Sequence, residues 1–460
     1  MQISSYFEQM KTKKAAFIGV GVSHTELIKL FAEKSIPVIV CDQKTPEQLK
    51  ETAPWLFELD VSLSLGDNYL DGLAEANVIF RSPGVYANSG FLTEARAQGK
   101  MVTSEMEDFF ALCPCKIIAV TGSDGKTTTT SIISAFLEAA GKTVHKGGNI
   151  GRALLPVIEQ IKPDDIAVVE LSSFQLLPMT RSPDVAVITN ISPNHLDVHG
   201  TMEEYTQAKA NLFKYQSASG KAVLNFDNEA STVFTGFVKG ALVYFSRLSA
   251  LDSGIFVKDG AICYANGPMT EYLMDCTDIR LPGLHNLENY LAAIAAVYPE
   301  VPKQVMKHVA NTFSGVEHRI EFVRELDGVC WYNDSIATSP TRTIAGLDSF
   351  NQKLIIIAGG YDKKIPFAPL APKLIEKVKV LILTGATAPK IEEALAGCAE
   401  FENCGMTVLT VKNMEEAVAA ARRMAKAGDI VSLSPASASF DQYVNFEARG
   451  NHYKGLVNAL

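Results

Sequence analysis

The feature that most constrains the fold of this chain is a glycine-rich loop between a predicted strand and a predicted helix. The apolar run at 117–120 predicts a buried strand, and apolar residues at helical spacing occupy 131–137. The loop between them reads Thr-Gly-Ser-Asp-Gly-Lys-Thr at 121–127. Glycines let backbone N–H groups approach phosphate oxygens, and a helix N-terminus adds partial positive charge. The order strand, glycine turn, helix therefore predicts a phosphate site in an α/β domain.

Two side chains of this loop suit a nucleoside triphosphate. Lys126 can reach the β- and γ-phosphates, and the hydroxyl of Thr127 can bind Mg²⁺. The loop departs from the common form G-x-x-x-x-G-K-[ST], because Val120 occupies the position of the first glycine. An ordinary turn with an unrelated lysine is the simpler interpretation. The position of Gly125, Lys126 and Thr127 between strand and helix nevertheless favours ATP and Mg²⁺ as ligands.

Length and composition limit the class of protein. A chain of 460 residues, 47% of them hydrophobic, predicts about three domains with packed cores. A net charge of −9 without a basic stripe argues against nucleic-acid binding. We find neither a signal peptide nor an apolar run near the ~18 residues of a membrane span, so we expect a cytoplasmic protein. The cysteines are scattered apart from Cys113 and Cys115, whose spacing is not that of a zinc site, and reduced thiols are expected.

Residues 1–114 alternate predicted strands and helices, which is typical of a nucleotide-binding α/β domain. A strand at 15–18 leads into a glycine turn, and a second strand ends at Asp42, about 20 residues later, where a ribose or base contact is usual. A solvated strand-end carboxylate is the alternative for Asp42. His24 stands where a dinucleotide fingerprint needs its third glycine, so the expected ligand is a nucleotide other than NAD. The Ser-Pro-Gly turn at 82–84 follows another strand and is a further candidate, although alone it would be an ordinary turn.

Residues 115–315 carry the phosphate loop and polar side chains beyond two further predicted strands. Glu170 ends one of these strands, and His195 follows the next. Ligands of open α/β sheets bind beyond the carboxyl ends of the strands, so we expect Glu170 and His195 near Lys126. A carboxylate and an imidazole beside a triphosphate suit Mg²⁺ coordination, directly or through water. Lys209, on a predicted helix, is by default a surface lysine.

Motifs with specific spacing occur along the whole chain. They are the phosphate loop at 121–127, Gly-Asn-Ile-Gly at 148–151, Glu-Leu-Ser-Ser-Phe-Gln at 170–175, Asn190 with His195, Tyr205-x-x-Ala208-Lys209, Gly-Leu-His-Asn-Leu-Glu-Asn at 283–289, Gly-Val-Glu-His-Arg-Ile-Glu at 315–321, S-P-A-x-A-S-x-D-Q at 434–442 and N-F-x-x-R-G at 445–450. Together they resemble the Mur ligase family. The resemblance implies three α/β domains: an N-terminal Rossmann-like UDP-binding domain at 1–114, a central P-loop ATPase domain with a parallel sheet at 115–315, and a C-terminal Rossmann-like amino-acid-binding domain at 316–460.

The resemblance also implies an activity and its substrates. The C-terminal strings are similar to those of the branch that uses ATP and Mg²⁺ to join D-glutamate to UDP-N-acetylmuramoyl-L-alanine through an acyl-phosphate, in peptidoglycan precursor synthesis and hence in cell division. The expected protein is a monomer. Three alternatives stay open: the same ligation with L-glutamate, a ligase like folylpolyglutamate synthase, and a P-loop switch without ligase chemistry. The string at 434–442 argues against the second, and a switch would need no acceptor site.

Residue roles follow from the matched motifs. The resemblance implies a catalytic group of Lys126, His195 and a carbamylated Lys209. It implies metal ligation by Thr127, Glu170, His195 and Lys209. It implies ATP contacts by Gly122, Asp124, Gly125, Lys126, Thr127, Thr128, Asn286, Asn289, His318, Arg319 and Asp334. It implies UDP-sugar contacts by Val22, Ser23, Asp42, Lys44, Ser82, Gly84, Asn149, Ser172 and Gln175.

The predicted glutamate site departs from the family pattern. Ile336 stands where related enzymes carry a lysine, and it cannot pair with an anion. A carboxylate in a closed cleft still needs cations or N–H donors, because leaving it unpaired is costly. We predict Lys363 and Arg342 as those cations, although a solvated helix residue is the alternative for Arg342. The family motif adds Ser439, Phe440 and Phe446 as further glutamate contacts.

Overall fold

The computed structural model describes residues 2–460, except for the side chains of residues 196 and 197. The chain forms three β-sheets flanked by helices. Two of the sheets belong to one compact unit, made of residues up to 276 together with Glu288–Val309. The third sheet belongs to a second unit, made of Thr277–Leu287 and Ala310–Leu460. The predicted α/β class with three domains is confirmed.

The first sheet is the scaffold of the predicted nucleotide turns. Its strands are β1 Ala15–Ile18, β2 Val38–Asp42, β3 Ser62–Leu65, β4 Val78–Arg81 and β5 Met101–Thr103, and its helices are α1 Ile3–Lys11, α2 Val22–Glu33, α3 Pro46–Thr52, α4 Gly90–Ala97 and α5 Glu105–Leu112. All strands are parallel, in the order β3-β2-β1-β4-β5. Every residue of β1 is buried, and Phe17 stacks on Phe80 at 4.7 Å. A strand buried on both faces explains the continuous apolar run in the sequence.

The second sheet carries the phosphate loop. Its strands are β6 Lys116–Thr121, β7 Val144–Gly148, β8 Ile166–Glu170, β9 Val185–Ile188, β10 Lys221–Asn225, β11 Ala241–Ser246, β12 Ser253–Lys258, β13 Ala261–Asn266 and β14 Met269–Asp275, and the helices are α6 Lys126–Ala139, α7 Ser173–Leu176, α8 Leu196–His199, α9 Met202–Lys214, α10 Glu229–Thr232, α11 Leu284–Val297 and α12 Lys303–Thr312. The strand order is β14-β13-β12-β11-β10-β9-β6-β8-β7.

One edge of this second sheet differs from the predicted parallel arrangement. Strand β13 pairs antiparallel with both β12 and β14. All other neighbouring strands of this sheet, including β6 at its centre, pair parallel. Only Asp259 and Gly260, both with positive φ, separate β12 from β13. A two-residue connection with positive φ at both positions joins antiparallel strands, and a parallel pair needs a much longer crossover.

The third sheet belongs to the second unit. Its strands are β15 Glu321–Leu326, β16 Val329–Asn333, β17 Leu354–Ala358, β18 Val378–Leu383, β19 Thr407–Thr410 and β20 Ile430–Leu433, and the helices are α13 Pro340–Asp348, α14 Ala371–Lys377, α15 Ala388–Ala396, α16 Met414–Met424 and α17 Phe446–Asn458. The order is β15-β16-β20-β17-β18-β19, and all pairs except β15 with β16 are parallel. Core side chains fill both faces of β17, where Ile355, Ile356 and Ile357 are fully buried.

Strand register decides which loops meet at one sheet edge. In the first sheet Ile18 pairs with Cys41 and with Arg81, so the segments after β1, β2 and β4 leave the same edge. In the second sheet Val120 pairs with Glu170, so β6 and β8 end together. Within residues 2–460, none of the helices is both long and apolar enough to cross a membrane. All eight cysteines carry free thiols.

Candidate active site

Two glycines shape the phosphate loop between β6 and α6. Gly122 and Gly125 have φ of +147° and +77°, in the region that favours glycine. A Cβ at Gly122 would lie 1.9 Å from Thr189 Oγ1, and one at Gly125 would lie 2.2 Å from Asn289 Oδ1. The Thr129 hydroxyl donates to the same Asn289 oxygen at 3.2 Å. The loop conformation therefore requires glycine at both positions.

The first residues of α6 place a cation and a hydroxyl at the carboxyl edge of the second sheet. Lys126 Nζ donates to the carbonyls of Gly122 at 3.1 Å and Ser123 at 2.9 Å. Thr127 Oγ1 donates to Glu170 Oε2 at 2.7 Å. The other oxygen of Glu170 accepts from Asn149 Nδ2 at 2.8 Å. Glu170 is 1% exposed, so the structure brings a buried carboxylate to the phosphate loop, as the sequence predicts.

Lys209 is not the surface lysine that its helix alone suggests. It is 1% exposed, and its amine donates to Thr121 Oγ1 at 3.1 Å and to the Gly122 carbonyl at 2.9 Å. Burial, followed by the nearby charge of Lys126, holds the pKa of this amine well below its usual range, although Glu170 acts in the opposite direction. The default surface position is therefore wrong, because α9 packs this face against the loop that follows β6, and the role that the family resemblance implies for Lys209 stays a prediction.

Tyr205 lies beside the phosphate loop, and His195 lies beside Phe174 of α7. The Tyr205 hydroxyl is hydrogen-bonded to that of Ser123 at 3.0 Å, and the Lys209 amine lies 4.7 Å from the Tyr205 ring centroid. His195 is exposed, has a positive φ of 53°, and packs edge-on against Phe174 at 5.2 Å. Outside the undescribed side chains of residues 196 and 197, no group of three or more His, Cys, Asp and Glu side chains is arranged to hold a metal ion. Thr127 and Glu170, whose side chains are hydrogen-bonded at 2.7 Å, are two of the predicted cation ligands.

Polar groups after β9 hold the phosphate loop in place. Asn190 Oδ1 accepts from the Asp124 N–H at 3.0 Å, and Asn190 Nδ2 donates to the Asp124 carbonyl at 3.2 Å. Thr189 Oγ1 donates to the same carbonyl at 2.5 Å. These contacts were not among the predicted roles, and the sequence signal that could have found them is the polar pair at the end of an apolar strand.

The turn after β1 is held by Asp42. Its two carboxylate oxygens accept from the N–H groups of Val20 at 2.7 Å and Lys44 at 2.9 Å. Val22 begins α2 and is 76% exposed, and Ser23 beside it is half-buried. The half-buried Asp42 carboxylate thus stabilises the turn after β1, at the sheet edge where a nucleotide is predicted to bind.

The other predicted UDP-sugar residues fall into two groups. Ser82 is half-buried and Gly84 exposed, with open space where a Cβ would lie on Gly84. Ser172 and Gln175 form a reciprocal capping box at the start of α7, with Gln175 Oε1 accepting from the Ser172 N–H at 2.9 Å. Asn149, also predicted to contact the sugar, donates from Nδ2 to Glu170 Oε1 at 2.8 Å.

Several residues predicted to contact ATP lie in the second unit, near the end of β16. His318, with φ of 63°, accepts at Nδ1 from Asn333 Nδ2 at 2.9 Å. Asp334 accepts from Ser434 Oγ at 2.9 Å. Burial raises the pKa of Asp334 to about 7, against the effect of the Ser434 bond and of nearby Arg319. In the same unit, Asn286 Nδ2 donates to the Pro282 carbonyl.

Both predicted replacement cations reach the segment that follows Asp334. Arg342 Nη1 donates to the Ile336 carbonyl at 3.3 Å, and Lys363 Nζ donates to Thr338 Oγ1 at 3.2 Å. Both side chains are exposed. Two cations therefore flank the position of the missing lysine.

The remaining predicted glutamate residues lie in the same unit. Ser439 is buried, whereas Phe440 is 62% exposed and contacts the ring of Tyr361 at 5.9 Å. The Phe446 carbonyl accepts from Ser335 Oγ at 2.8 Å. Arg449, the arginine of the N-F-x-x-R-G motif, has no predicted role; it is 3% exposed and donates to the carbonyls of Ser335, Ser437 and Ala438.

Family models match three consecutive parts of the chain. Residues 13–104 match the description "Mur ligase MurD-like, N-terminal domain", 120–297 match "Mur ligase middle domain", and 318–437 match "Mur ligase, glutamate ligase domain".

Similar proteins cover the full length. The UDP-N-acetylmuramoylalanine--D-glutamate ligase of Acetivibrio thermocellus is 50% identical, over 100% of this chain and 99% of the relative. The enzyme of the same name from Clostridium kluyveri is 46% identical over 98% of each chain. Among solved structures, UDP-N-acetylmuramate-alanine ligase from Thermotoga maritima is similar with a TM-score of 0.58 and 16% identity, over 97% of this chain and 99% of that one. That structural similarity supports the fold alone.

Proposed function

This chain belongs to the Mur ligase family, and we propose that it joins D-glutamate to UDP-N-acetylmuramoyl-L-alanine at the expense of ATP. The observation that carries the proposal is the 46–50% identity, over 98–100% of this chain, to relatives named for that reaction. A phosphate loop whose hydroxyl meets a buried carboxylate gives the proposal its physical basis.

The chemistry follows from the weakness of a carboxylate as an electrophile. Transfer of the γ-phosphoryl group of ATP to the acceptor carboxylate gives an acyl-phosphate with a good leaving group. The amine of glutamate then attacks the carbonyl, and phosphate leaves. Phosphoryl transfer needs mainly positioning and charge neutralisation. We assign Lys126 and the N-terminus of α6 to the β- and γ-phosphates, with Gly122, Asp124, Gly125 and Thr128 lining the loop.

The residues present fit Mg²⁺ as a cofactor. Thr127 and Glu170 are hard oxygen donors 2.7 Å apart at the start of α6, and Mg²⁺ is usually held by one or two protein ligands together with substrate phosphates. The ion would neutralise phosphate charge. We assign Thr127, Glu170 and His195 to it, and we assign Asn286, Asn289, His318, Arg319 and Asp334 to ATP.

Carbamylation of Lys209 is consistent with its surroundings. Only the neutral amine reacts with CO₂, and burial lowers the pKa of this amine. The resulting carbamate would carry negative charge towards the cation, whereas an ammonium would be repelled by it.

The acceptor site is assigned to the first sheet and to α7. Val22, Ser23, Asp42, Lys44, Ser82 and Gly84 would hold the uridine diphosphate, and Asn149, Ser172 and Gln175 the sugar. Asp42→Ala should raise the KM for the UDP-sugar with much less effect on that for ATP, because it releases the turn after β1. A selective rise in the KM for ATP would place the acceptor elsewhere.

Glutamate is assigned to the second unit, with Arg342, Lys363, Ser439, Phe440 and Phe446 around it. An arginine fork can hold a carboxylate through two parallel hydrogen bonds, which a lysine cannot do. Arg342→Ala and Lys363→Ala should each raise the KM for glutamate. An unchanged value for Arg342→Ala, with a raised value for Lys363→Ala, would leave Lys363 as the replacement cation.

A coupled phosphate-release assay tests the whole proposal. We expect release to require ATP, Mg²⁺, UDP-N-acetylmuramoyl-L-alanine and D-glutamate together. Faster turnover with L-glutamate would correct the stereochemistry and leave the reaction class intact. Release without any acceptor would favour a P-loop switch, and a folate acceptor would indicate the other ligase class.

The setting of this reaction is also part of the proposal. We assign the UDP-sugar domain to 1–114, the ATP domain to 115–315 and the amino-acid domain to 316–460. The enzyme would act as a cytoplasmic monomer in peptidoglycan synthesis and thereby support cell shape and division. Light scattering of the purified protein should give the mass of one chain.

A further inference from the structure

Arg81 is a buried cation at the end of β4, directly before the turn at 82–84. It is 1% exposed, and its backbone pairs with Ile18 in the first sheet. Burial lowers the pKa of the guanidinium, while the carboxylate of Glu107 acts in the opposite direction. A buried charge is costly unless its donors are used, so the contacts of this side chain indicate what holds it there.

The guanidinium joins two segments that are far apart in sequence. Nη1 donates to the Val85 carbonyl at 3.1 Å, and Nη2 donates to the Phe174 carbonyl at 3.0 Å. Val85 closes the turn after β4, since its N–H donates to the Ser82 carbonyl at 3.0 Å. Phe174 lies in α7, which follows β8. The side chain therefore links the turn after β4 of the first sheet to α7, which follows β8 of the second sheet.

The segment at Phe174 carries groups of the candidate active site. Its capping box is formed by Ser172 and Gln175, and Glu170 ends the strand just before it. The ring of Phe174 packs edge-on against His195 at 5.2 Å and stacks on His199 at 5.0 Å. A displacement of the Phe174 backbone would therefore move both the predicted sugar contacts Ser172 and Gln175 and the packing of the His195 imidazole, a proposed cation ligand.

We propose that Arg81 is a positioning residue that holds the uridine turn at 82–85 against the segment at 170–175. This inference rests on the proposed function, because it assumes that the turn at 82–85 binds the uridine diphosphate and that the link to Phe174 holds this turn in its binding position. The planar fork of arginine directs two N–H groups at once to two carbonyls, and a lysine cannot reproduce that geometry. Arg81 thus fixes the placement of the turn relative to α7 without contacting the ligand itself.

The test compares ligand binding in three variants. Arg81→Met keeps the apolar stem but leaves the partly buried carbonyls of Val85 and Phe174 without this donor, and Arg81→Lys keeps the charge. Arg96→Met is the matched control, because Arg96 Nη1 donates to the Ala87 carbonyl at 2.9 Å within the first domain and has an exposed side chain. Calorimetric titration with UDP, and separately with a non-hydrolysable ATP analogue, gives each Kd.

We expect the Kd for UDP to rise roughly ten-fold in Arg81→Met and less in Arg81→Lys, since the loss of a hydrogen bond from a charged donor is worth about ten-fold in an equilibrium. The ATP analogue should bind within about two-fold of wild type in all variants, because the phosphate loop is untouched. A role in folding alone would lower the melting temperature and the active fraction while the Kd for UDP of the folded protein stayed constant.

Unchanged UDP binding in Arg81→Met, or an equal change in Arg96→Met, would overturn the inference. If Arg81→Met does not fold, Arg81→Lys decides by the same criterion. Wild-type protein that fails to bind UDP would contradict the proposed function itself. Wild-type binding with no effect at Arg81 contradicts this inference alone.

Discussion

Lys126 gives the most direct test at the scale of single residues. Its position at the start of α6 brings a flexible cation to the predicted γ-phosphate, where charge develops during transfer. Lys126→Ala should lower the rate on the order of 10²-fold or more, measured as phosphate release. Lys142→Ala, at an exposed lysine after the same helix, should turn over normally. Near-normal turnover of Lys126→Ala would remove the phosphate assignment.

Lys209 gives a second residue-scale prediction. The side chain is buried against Thr121 and Gly122, where the proposed carbamate would carry its negative charge towards the cation. Lys209→Ala should be nearly inactive, because it removes that group. Added short carboxylates should partly restore the rate by supplying the negative group of a carbamate. Lys214→Ala, at an exposed lysine of the same helix, is the control and should need no rescue. Full activity of Lys209→Ala without additives would contradict the assignment.

At the scale of elements, α5 is joined to the middle domain by one buried carboxylate. Glu105 Oε1 accepts from the N–H groups of Leu154 at 2.7 Å and Leu155 at 2.8 Å. Burial raises the pKa of Glu105 from 4.5 to about 7, although these two bonds act in the opposite direction. The unfolded chain loses this proton at lower pH than the folded protein, so stability falls as pH rises from about 4.5 through about 7.

Replacing the Glu105 carboxylate should remove its contribution to the pH dependence of the free energy of unfolding. Glu105→Gln keeps an oxygen acceptor and carries no charge. We expect it to match wild type near pH 5 and to exceed it by about 2 kcal/mol near pH 8, in the free energy of unfolding from urea titrations. Glu94→Gln, at an exposed position of α4, should show the wild-type profile. Identical pH profiles for Glu105→Gln and wild type would show that burial of the charge costs nothing.

At the scale of the whole molecule, the proposed sites lie on three sheets and act in sequence. Acyl-phosphate formation needs only ATP and the UDP-sugar, whereas turnover also needs glutamate. Oxygen scrambling between the bridging and non-bridging positions of the β-phosphate should therefore depend on the UDP-sugar and proceed without glutamate. Scrambling that needs glutamate, or that proceeds equally without the UDP-sugar, would contradict an acyl-phosphate formed on the UDP-sugar before glutamate reacts.

The sequence alone was sufficient for the features that depend on neighbours along the chain. The apolar run ending at Val120, the glycines and the start of α6 are local, because strand, turn and helix follow from side-chain periodicity and from the backbone freedom of glycine. The confirmed order of three α/β domains has the same origin. The two-residue Asp-Gly connection at 259–260 is an equally local signal, and it indicates the antiparallel pair of β12 and β13 that a wholly parallel sheet would lack.

Only the tertiary structure decided the environment of the site residues. Helix spacing places Lys209 on one face of α9, but its burial depends on which loop packs against that face. Asn289 meets Gly125 and Thr129 across more than 150 positions of sequence, and Arg81 joins Val85 to Phe174. Such contacts are set by the order and register of strands in the sheets, which bring distant segments to one edge, and no periodicity within a single segment encodes them.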